Sequence, residues 1–473
     1  MASDMMALLQ AQRSSFMAAL PEPMSVRKDR LKRAAAMIRD NADRFCDALS
    51  EDFGHRSREQ SMITDIAGSI GPINHALKHL DRWARSEKRK VQFPLSLFGA
   101  KAWVEYQPKG VVGVISPWNF PVNLVMSPIA GIFAAGNRAM VKTSEFTPQV
   151  STLFEEVVGR YFAPEELTFI SGGPDVGKAF AELPFDHMIF TGATGIARHI
   201  LHAAADNLVP VTLELGGKSP VVVGKGADMQ QVAERVTLGK MLNAGQICLA
   251  PDYMLVPHGR EGEAAERVKA AATTMYPSLV SNPDFTSVIN DRHHQRLTDW
   301  VEDARTKGAT VDVVNPAGED FASSNTRKMP LHIVTGVTDE MTLMQEEIFG
   351  PILPIRGYQG IDQAIDHVNR RDRPLALYYF GPEAQERRHV LDRTISGGVT
   401  VDDVIFHVSM EDLPFGGIGP SGMGSYHGHD GFKTFSHARA MYKQPKMDVA
   451  KLAGMKPPYG PATRKSIARQ IGA

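Results

Sequence analysis

The chain has 473 residues, with 52 Lys and Arg against 53 Asp and Glu and a formal net charge of −1. That length leaves room for about three domain-sized units around a large core, which excludes a small binding module. Balanced charge with no long run of one sign argues against nucleic acid or an anionic membrane as partner, and only two cysteines, Cys46 and Cys248, argue against a disulfide framework and for a reducing, cytoplasmic setting in which a thiol stays free.

The opening segment MASDMMALLQAQRSSF lacks the basic flank and unbroken apolar stretch of an export signal, so no export is expected. Between residues 61 and 83, Ile63, Ile66, Ile70, Ile73, Leu77, Leu80 and Trp83 recur at intervals of three and four, which predicts one apolar helix face. KAWVEY at 101–106 predicts an extended segment, set off by Pro108 and Gly110. The apolar stretch 122–135, interrupted by Asn123 and Pro128, is shorter than the roughly 20 residues a bilayer requires and reads as a buried helix.

From Val111 onward, VVGVIS, AMVKT, LTFIS, HMIFTG and VTLEL alternate with helical stretches at 122–135, 148–160, 174–183 and 194–206. This order is that of an α/β, doubly wound parallel sheet, and the continuous apolar runs fit strands buried on both faces. A second α/β series starts near Ser219 with SPVVVG, a helix from 228, DYMLVP and a helix around 262–274, and runs to GGVTVDDV at 397–404. LPFGGIGPSGMG after it reads as an ordered loop because Phe415, Ile418 and Met423 interrupt the glycines, and 445–473 reads as a polar tail.

Several residues carry potential chemistry. Cys248 follows Asn-Ala-Gly-Gln-Ile, where glycine lets the backbone approach a ligand closely; an inert core thiol is the alternative, and Cys46, inside a helical stretch, takes that reading. Glu214 ends an apolar strand just before a glycine pair, where partial burial would raise its proton affinity and suit it as a base; a capping or lysine-paired carboxylate is the alternative. Asn119 lies in a turn after VVGVIS and could donate to a developing alkoxide, or simply be a turn asparagine. The turn Gly192-Ala-Thr-Gly195 opens a helix whose amides could hold a pyrophosphate, but it is not GxGxxG. The histidines at 293–294 and 427–429 lack the flanking ligands of a metal centre, and no metal is expected.

Taken together, ISPWNFP, VKTSEFTP, FTGATG, LELGGKSP, NAGQIC, EEIFGP and LPFGGIGPSGMG stand in the order found in the aldehyde dehydrogenase superfamily. The chain resembles that family from about residue 25 to 445, its class 3 branch in PDY and MGSYHG, and coniferyl aldehyde dehydrogenases in the N-terminal half with DFGHRS. The resemblance implies an aldehyde dehydrogenase-like fold. A Rossmann-like NAD(P)-binding domain would comprise 1–89 and 107–213, a catalytic domain 214–405, a β oligomerisation arm 90–106 and 430–445, and a tail 446–473. It implies oxidation of an aldehyde to the acid, with an aromatic or phenylpropenal substrate such as coniferyl aldehyde favoured over aliphatic ones, and a homodimer. Cys248 would be the nucleophile, Asn119 and the Cys248 N–H the oxyanion hole, and Glu214 the base. Trp118, Lys142, Glu145, Gly192, Thr194, Gly216, Glu347 and Phe349 would bind the cofactor.

Ala193 and Ala197 depart from the family's phosphate turn, which implies fewer pyrophosphate contacts. Glu145 beside the ribose would repel a 2′-phosphate, so NAD is expected over NADP, while class 3 relatives often accept NADP as well, for which Lys142 is the candidate partner. Trp118, Phe120 and Phe406 are candidate apolar walls for the substrate. Glu214 argues against a rival that passes the acyl group to coenzyme A, since such relatives generally lack it, and the joint presence of Cys248, Asn119, Glu214 and Glu347 argues against a non-catalytic protein.

Overall fold

The computed structural model describes residues 2–93, 95–324, 326–452 and 454–472. Met1, Pro94, Asn325, Ala453 and Ala473, which fall at or within the bounds of the expected segments, lie outside the described residues. In chain order the strands are β1 (Glu87–Arg89), β2 (Lys101–Pro108), β3 (Val111–Ile115), β4 (Arg138–Lys142), β5 (Leu167–Ile170), β6 (His187–Thr191), β7 (Val211–Glu214), β8 (Pro220–Val223), β9 (Tyr253–Pro257), β10 (Thr310–Val314), β11 (Leu331–Thr335), β12 (Ile352–Tyr358), β13 (Ala376–Phe380), β14 (Gly398–Val401), β15 (Gly422–Met423) and β16 (Ser436–Lys443).

They form three sheets. A six-stranded sheet runs β15-β7-β6-β3-β4-β5, parallel except for β15. From β3 the chain winds outward to β4 and β5, then returns to β6 and β7 on the other side, so strand order reverses between β3 and β6. In open α/β sheets the crevice beyond the carboxyl ends of strands at such a reversal is where ligands bind. The second sheet, β10-β11-β12-β9-β8-β13-β14, is parallel except for β10. β3, β4, β6, β8 and β13 are buried nearly end to end, as strands covered on both faces must be. The third sheet, β1-β2-β16, is antiparallel.

Helices Ala2–Ala18, Met24–Asp40, Ala42–Phe53 and Gly68–Trp83 precede the sheets. The expected stretch 61–83 contains a π-helical turn, Met62–Ala67, before Gly68–Trp83. That wider turn breaks the three-and-four spacing and takes Ile63, which lies within it, off the apolar face. Ile66, Ile73, Leu80 and Trp83 are therefore buried, whereas Ile63 is 70% exposed. The helix Asn123–Ala135 is buried along almost its whole length, and Gly68–Trp83 packs against it.

The extended segment at 101–106 continues through Pro108, and β2 pairs with β16 along its full length. Residues 430–434 of the expected arm lie in the helix Gly428–Thr434, which packs on Asn123–Ala135 and leads directly into β16. Within the Gly-rich stretch read as a loop, β15 adds itself antiparallel to β7, pairing Gly422 with Glu214 and Met423 with Leu213. The expected tail includes a helix, Pro461–Ile471. Among the described residues no helix is long and apolar enough to cross a membrane.

Candidate active site

The carboxyl ends of the six-stranded sheet face the amino ends of the seven-stranded one. Trp118 and Asn119 follow β3, Lys142 ends β4, Gly192 follows β6 and Glu214 ends β7, while Lys218 precedes β8, Cys248 precedes β9, and Glu347 and Phe349 precede β12. Glycines allow this close meeting. Gly217 has a φ of +135°, outside the range L side chains adopt comfortably, and a Cβ on Gly216 would lie 2.2 Å from Glu347 Oε1. Glu347 thus sits directly over the backbone that follows Glu214.

Asn119 is held in a buried bracket. Its Nδ2 donates to Gln246 O at 3.1 Å, and because a primary amide carries two N–H groups, one hydrogen fixes the side chain while the other remains for a ligand oxygen. Its carbonyl accepts from Arg56 Nη1 at 2.8 Å and from Asn243 Nδ2 at 3.0 Å. Gln60 exchanges two bonds with Asn243, and Gln246 Nε2 donates to Asn243 O and Ser287 O while its Oε1 accepts from Ile289 N. Asn243, Ala244 and Gly245 all adopt positive φ, a run that asparagine and glycine tolerate best; it lifts the backbone leading to Cys248.

Arg56 is itself paired with Asp65 at 2.6 Å, both side chains fully buried, and Asp65 Oδ1 accepts from the backbone of Val122 and Asn123. Removing one member of such a pair leaves an uncompensated buried charge. Arg56→Ala is therefore expected to cost about 3–5 kcal/mol of stability, read as a lowered chemical-denaturation midpoint; a midpoint matching the parent would refute this account of the bracket.

Electrostatics separate the titratable groups. Burial, then the nearby Glu347 and Glu214 carboxylates, push the Cys248 thiol up to about 12, while the backbone N–H groups of Cys248 and Leu249 act in the opposite sense. Glu214 is 2% exposed, neither carboxylate oxygen has a hydrogen-bond partner among the described residues, and burial raises its proton affinity well above that of a free glutamate. Glu347 is pushed up to about 8 by burial and by Asp252, with the Gly217 N–H, Lys218 and Arg296 counteracting. Cys46 packs in the core with its thiol raised to about 11 by burial.

The loop carrying Glu347 is bolted to the sheet by a pair that sequence reasoning missed. Lys218 Nζ pairs with Asp252 and donates to Leu343 O at 2.7 Å and Glu346 O at 2.9 Å, and Asp252 Oδ1 accepts from Ile348 N. Phe349, with φ +50°, meets Trp118 edge-on at 5.3 Å, so two of the expected cofactor residues are neighbours. Phe120 lies in the core against the Arg56 guanidinium, and Phe406 is 51% exposed.

The residues present fit a pyridine dinucleotide. The 13-residue helix Thr194–Asp206 starts after Ala193 with no side-chain cap on its amides, so its positive end is available to a phosphate, and the space beside Gly195 is open. Lys142, buried, donates to Thr143 O and lies 3.8 Å from the part-exposed Glu145. Thr194 Oγ1 is engaged with Pro420 O. Among the described residues no three His, Cys, Asp or Glu side chains converge as metal ligands.

Comparison with known proteins agrees with this architecture. The model of the aldehyde dehydrogenase family matches residues 2–441, and the chain belongs to that family: it is an oxidoreductase that oxidises aldehydes with NAD(P). It is similar to a "Probable coniferyl aldehyde dehydrogenase" of Caulobacter vibrioides, 53% identical over 98% of this chain and 96% of the relative. It is also similar to a coniferyl aldehyde dehydrogenase of a Pseudomonas species, 52% identical over 93% and 91%. The substrate-bound state of Staphylococcus aureus AldH superposes with a TM-score of 0.90 at 33% identity, covering 98% of this chain and 99% of that one.

Proposed function

We propose that the protein oxidises an aromatic or phenylpropenal aldehyde such as coniferyl aldehyde to its carboxylate through a thioester on Cys248, with NAD preferred. The observation that carries the mechanism is the meeting of a thiol, a bracketed amide and a partnerless buried carboxylate at the facing ends of two sheets. Cys248 Sγ attacks the aldehyde carbon as its proton passes to water in the site; only the thiolate is strongly nucleophilic, so this deprotonation accompanies attack. The second N–H of Asn119 and the Cys248 N–H hold the thiohemiacetal oxyanion, and loss of one such donor typically costs about 3–4 kcal/mol of barrier. NAD supplies, when bound, the acceptor for the hydrogen that leaves this carbon with its electron pair. Glu214 then takes a proton from water as its oxygen attacks the thioester, the C–S bond breaks, and the sulfur recovers a proton.

Lys142 and Glu145 would hold the adenosine ribose, Gly192 and Thr194 the pyrophosphate, and Trp118, Gly216, Glu347 and Phe349 the nicotinamide end. The part-exposed Glu145 carboxylate supports NAD over NADP, because it would repel a 2′-phosphate. Residues 1–89 and 107–213 form the cofactor domain in this reading, 214–405 the catalytic domain, and 90–106 with 430–445 the arm. β16, whose outward edge is largely exposed, suits pairing in a homodimer. A cytoplasmic setting fits the free thiols.

The relatives at 52–53% identity support the phenylpropenal substrate, whereas a relative at 35% identity named 4,4'-diaponeurosporen-aldehyde dehydrogenase supports a long-chain alternative. NADH and NADPH formation with coniferaldehyde, cinnamaldehyde, benzaldehyde, hexanal and decanal decides between them. The expected result is a kcat/KM at least about 10-fold higher for the phenylpropenals, the order of one well-filled apolar contact. Preference for alkanals would keep the chemistry and reject the substrate.

A further inference from the structure

Glu347 stands in a stretch, residues 346–351, that belongs to no helix or strand, so no backbone ladder holds it. One buried pair holds it instead. An ammonium carries three N–H donors, and those of Lys218 meet the Asp252 carboxylate, Leu343 O at 2.7 Å and Glu346 O at 2.9 Å. Asp252 Oδ1 in turn accepts from Ile348 N at 2.9 Å. The Glu346 carbonyl belongs to the peptide group before Glu347 and the Ile348 N–H to the one after it, so the pair grips both peptide groups of this single residue.

The pair has a firm base. Lys218 follows Glu214 by four residues and Asp252 follows Cys248 by four. Asp252 N donates to Ser219 O at 2.8 Å, just ahead of the paired strands β8 and β9, so both members stand on one sheet. From that base the Glu347 carboxyl lies over Gly216 and Phe349 stands edge-on to Trp118, while Arg296 Nη2 adds a bond to Ile348 O at 2.8 Å. None of these bonds involves Cys248, Asn119 or the Glu214 carboxylate.

We propose that Lys218 and Asp252 are positioning residues for the oxidative half of the reaction, which, by gripping both peptide groups of Glu347, hold Glu347 and Phe349 where the nicotinamide end of NAD is received. This role rests on the assignment of Glu347 and Phe349 to that end of the cofactor. No proton or electron passes through the pair, and neither side chain touches a reacting atom. Its effect is geometric: a shift of about 1 Å at a reacting centre can cost on the order of 10²-fold in rate, so a clamp that fixes the loop acts on hydride transfer from outside the chemistry. Hydrolysis of the thioester, which uses Glu214 and Asn119, does not depend on it.

The test compares two reactions of one thiol. Aldehyde oxidation needs NAD, whereas cofactor-free hydrolysis of 4-nitrophenyl acetate acylates Cys248 directly and draws on Asn119 and Glu214 without any hydride step. Lys218→Met removes the ammonium but leaves the Asp252 charge buried and unpaired, which destabilises the fold. The double variant Lys218→Met with Asp252→Asn removes both charges and keeps an oxygen for Ile348 N. In the double variant, NAD affinity read by fluorescence titration should weaken at least about 5-fold and the first-turnover NADH burst should slow by about 10-fold, while ester hydrolysis stays within about twofold of the parent. Unchanged NAD affinity and burst overturn the positioning role, and so does a loss of oxidation and ester hydrolysis in equal measure, which makes the pair a structural brace. Glu347→Gln run alongside separates the two ideas. Weaker NAD binding or a slower burst there, with neither in the double variant, removes the clamp alone; no change in Glu347→Gln removes the cofactor assignment and the clamp with it.

Discussion

Replacing Cys248 with alanine is expected to lower aldehyde oxidation by at least about 10⁴-fold while leaving NAD affinity within about twofold. The size follows from what the residue is asked to do: without the thiol no covalent adduct forms, and residues acting as a unit in covalent catalysis lose nearly all of their effect when the nucleophile goes. The retained affinity follows from geometry, since the residues proposed to hold the cofactor lie at the ends of β3, β4, β6 and β7 and before β12, and none depends on the sulfur. Cys46, buried in the helix Ala42–Phe53, offers no substitute nucleophile. Steady-state NADH formation and fluorescence titration with NAD measure the two halves. Appreciable turnover in Cys248→Ala would falsify the covalent mechanism, and a loss of cofactor binding of similar size would reassign the effect to folding.

For Glu214→Gln the expected signature is a burst of NADH close to one equivalent, followed by a steady rate about 10²–10⁴-fold below the parent, the usual contribution of a positioned general base. The carboxyl is buried with both oxygens unpartnered. Its proton affinity is raised by burial, which makes it reluctant to ionise but an effective acceptor once it has. Ionised Glu214 in turn lifts the Cys248 thiol, so the variant should also ease thiol ionisation. The sign is clear: removing a neighbouring negative charge lowers the Cys248 pKa, and iodoacetamide should label the variant faster than the parent at a given pH above neutrality. An unaltered steady rate would shift the base role to Glu347, the other buried carboxyl with raised proton affinity.

The parts of this molecule legible in the sequence are those with a local signature. VVGVIS, HMIFTG and SPVVVG are continuous apolar runs, and the strands they form are covered on both faces. Glu214 ends a strand before a glycine pair and Asn119 lies in the turn after one, while Cys248 is set apart from Cys46 by the ordered motifs around it rather than by position alone. The bracket around Asn119 has no such mark. Arg56, Gln60, Asp65, Asn243 and Gln246 come from separate segments, and polar residues in helical stretches read as solvated until a fold buries them. Lys218 and Asp252 are equally silent, since their pairing needs β8 beside β9. β15 is two residues long and shows no alternation, and the π-turn at Met62–Ala67 leaves the apolar spacing looking like an ordinary helix. Only Asn243 and Gly245 carried a usable hint, through their tolerance of positive φ.

The antiparallel pairing of Gly422 and Met423 with the end of β7 also has a consequence for biogenesis. During synthesis β7 emerges long before its outer neighbour, and its edge stays open until nearly the whole chain has left the ribosome. Contacts this distant in sequence are slow to form, and an open strand edge on a partly folded chain invites pairing with another copy. The carboxylate proposed as the base ends that strand, so nascent or C-terminally clipped chains lacking β15 would be both inactive and prone to aggregate, and a segment made late in synthesis guards the residue proposed to free the product.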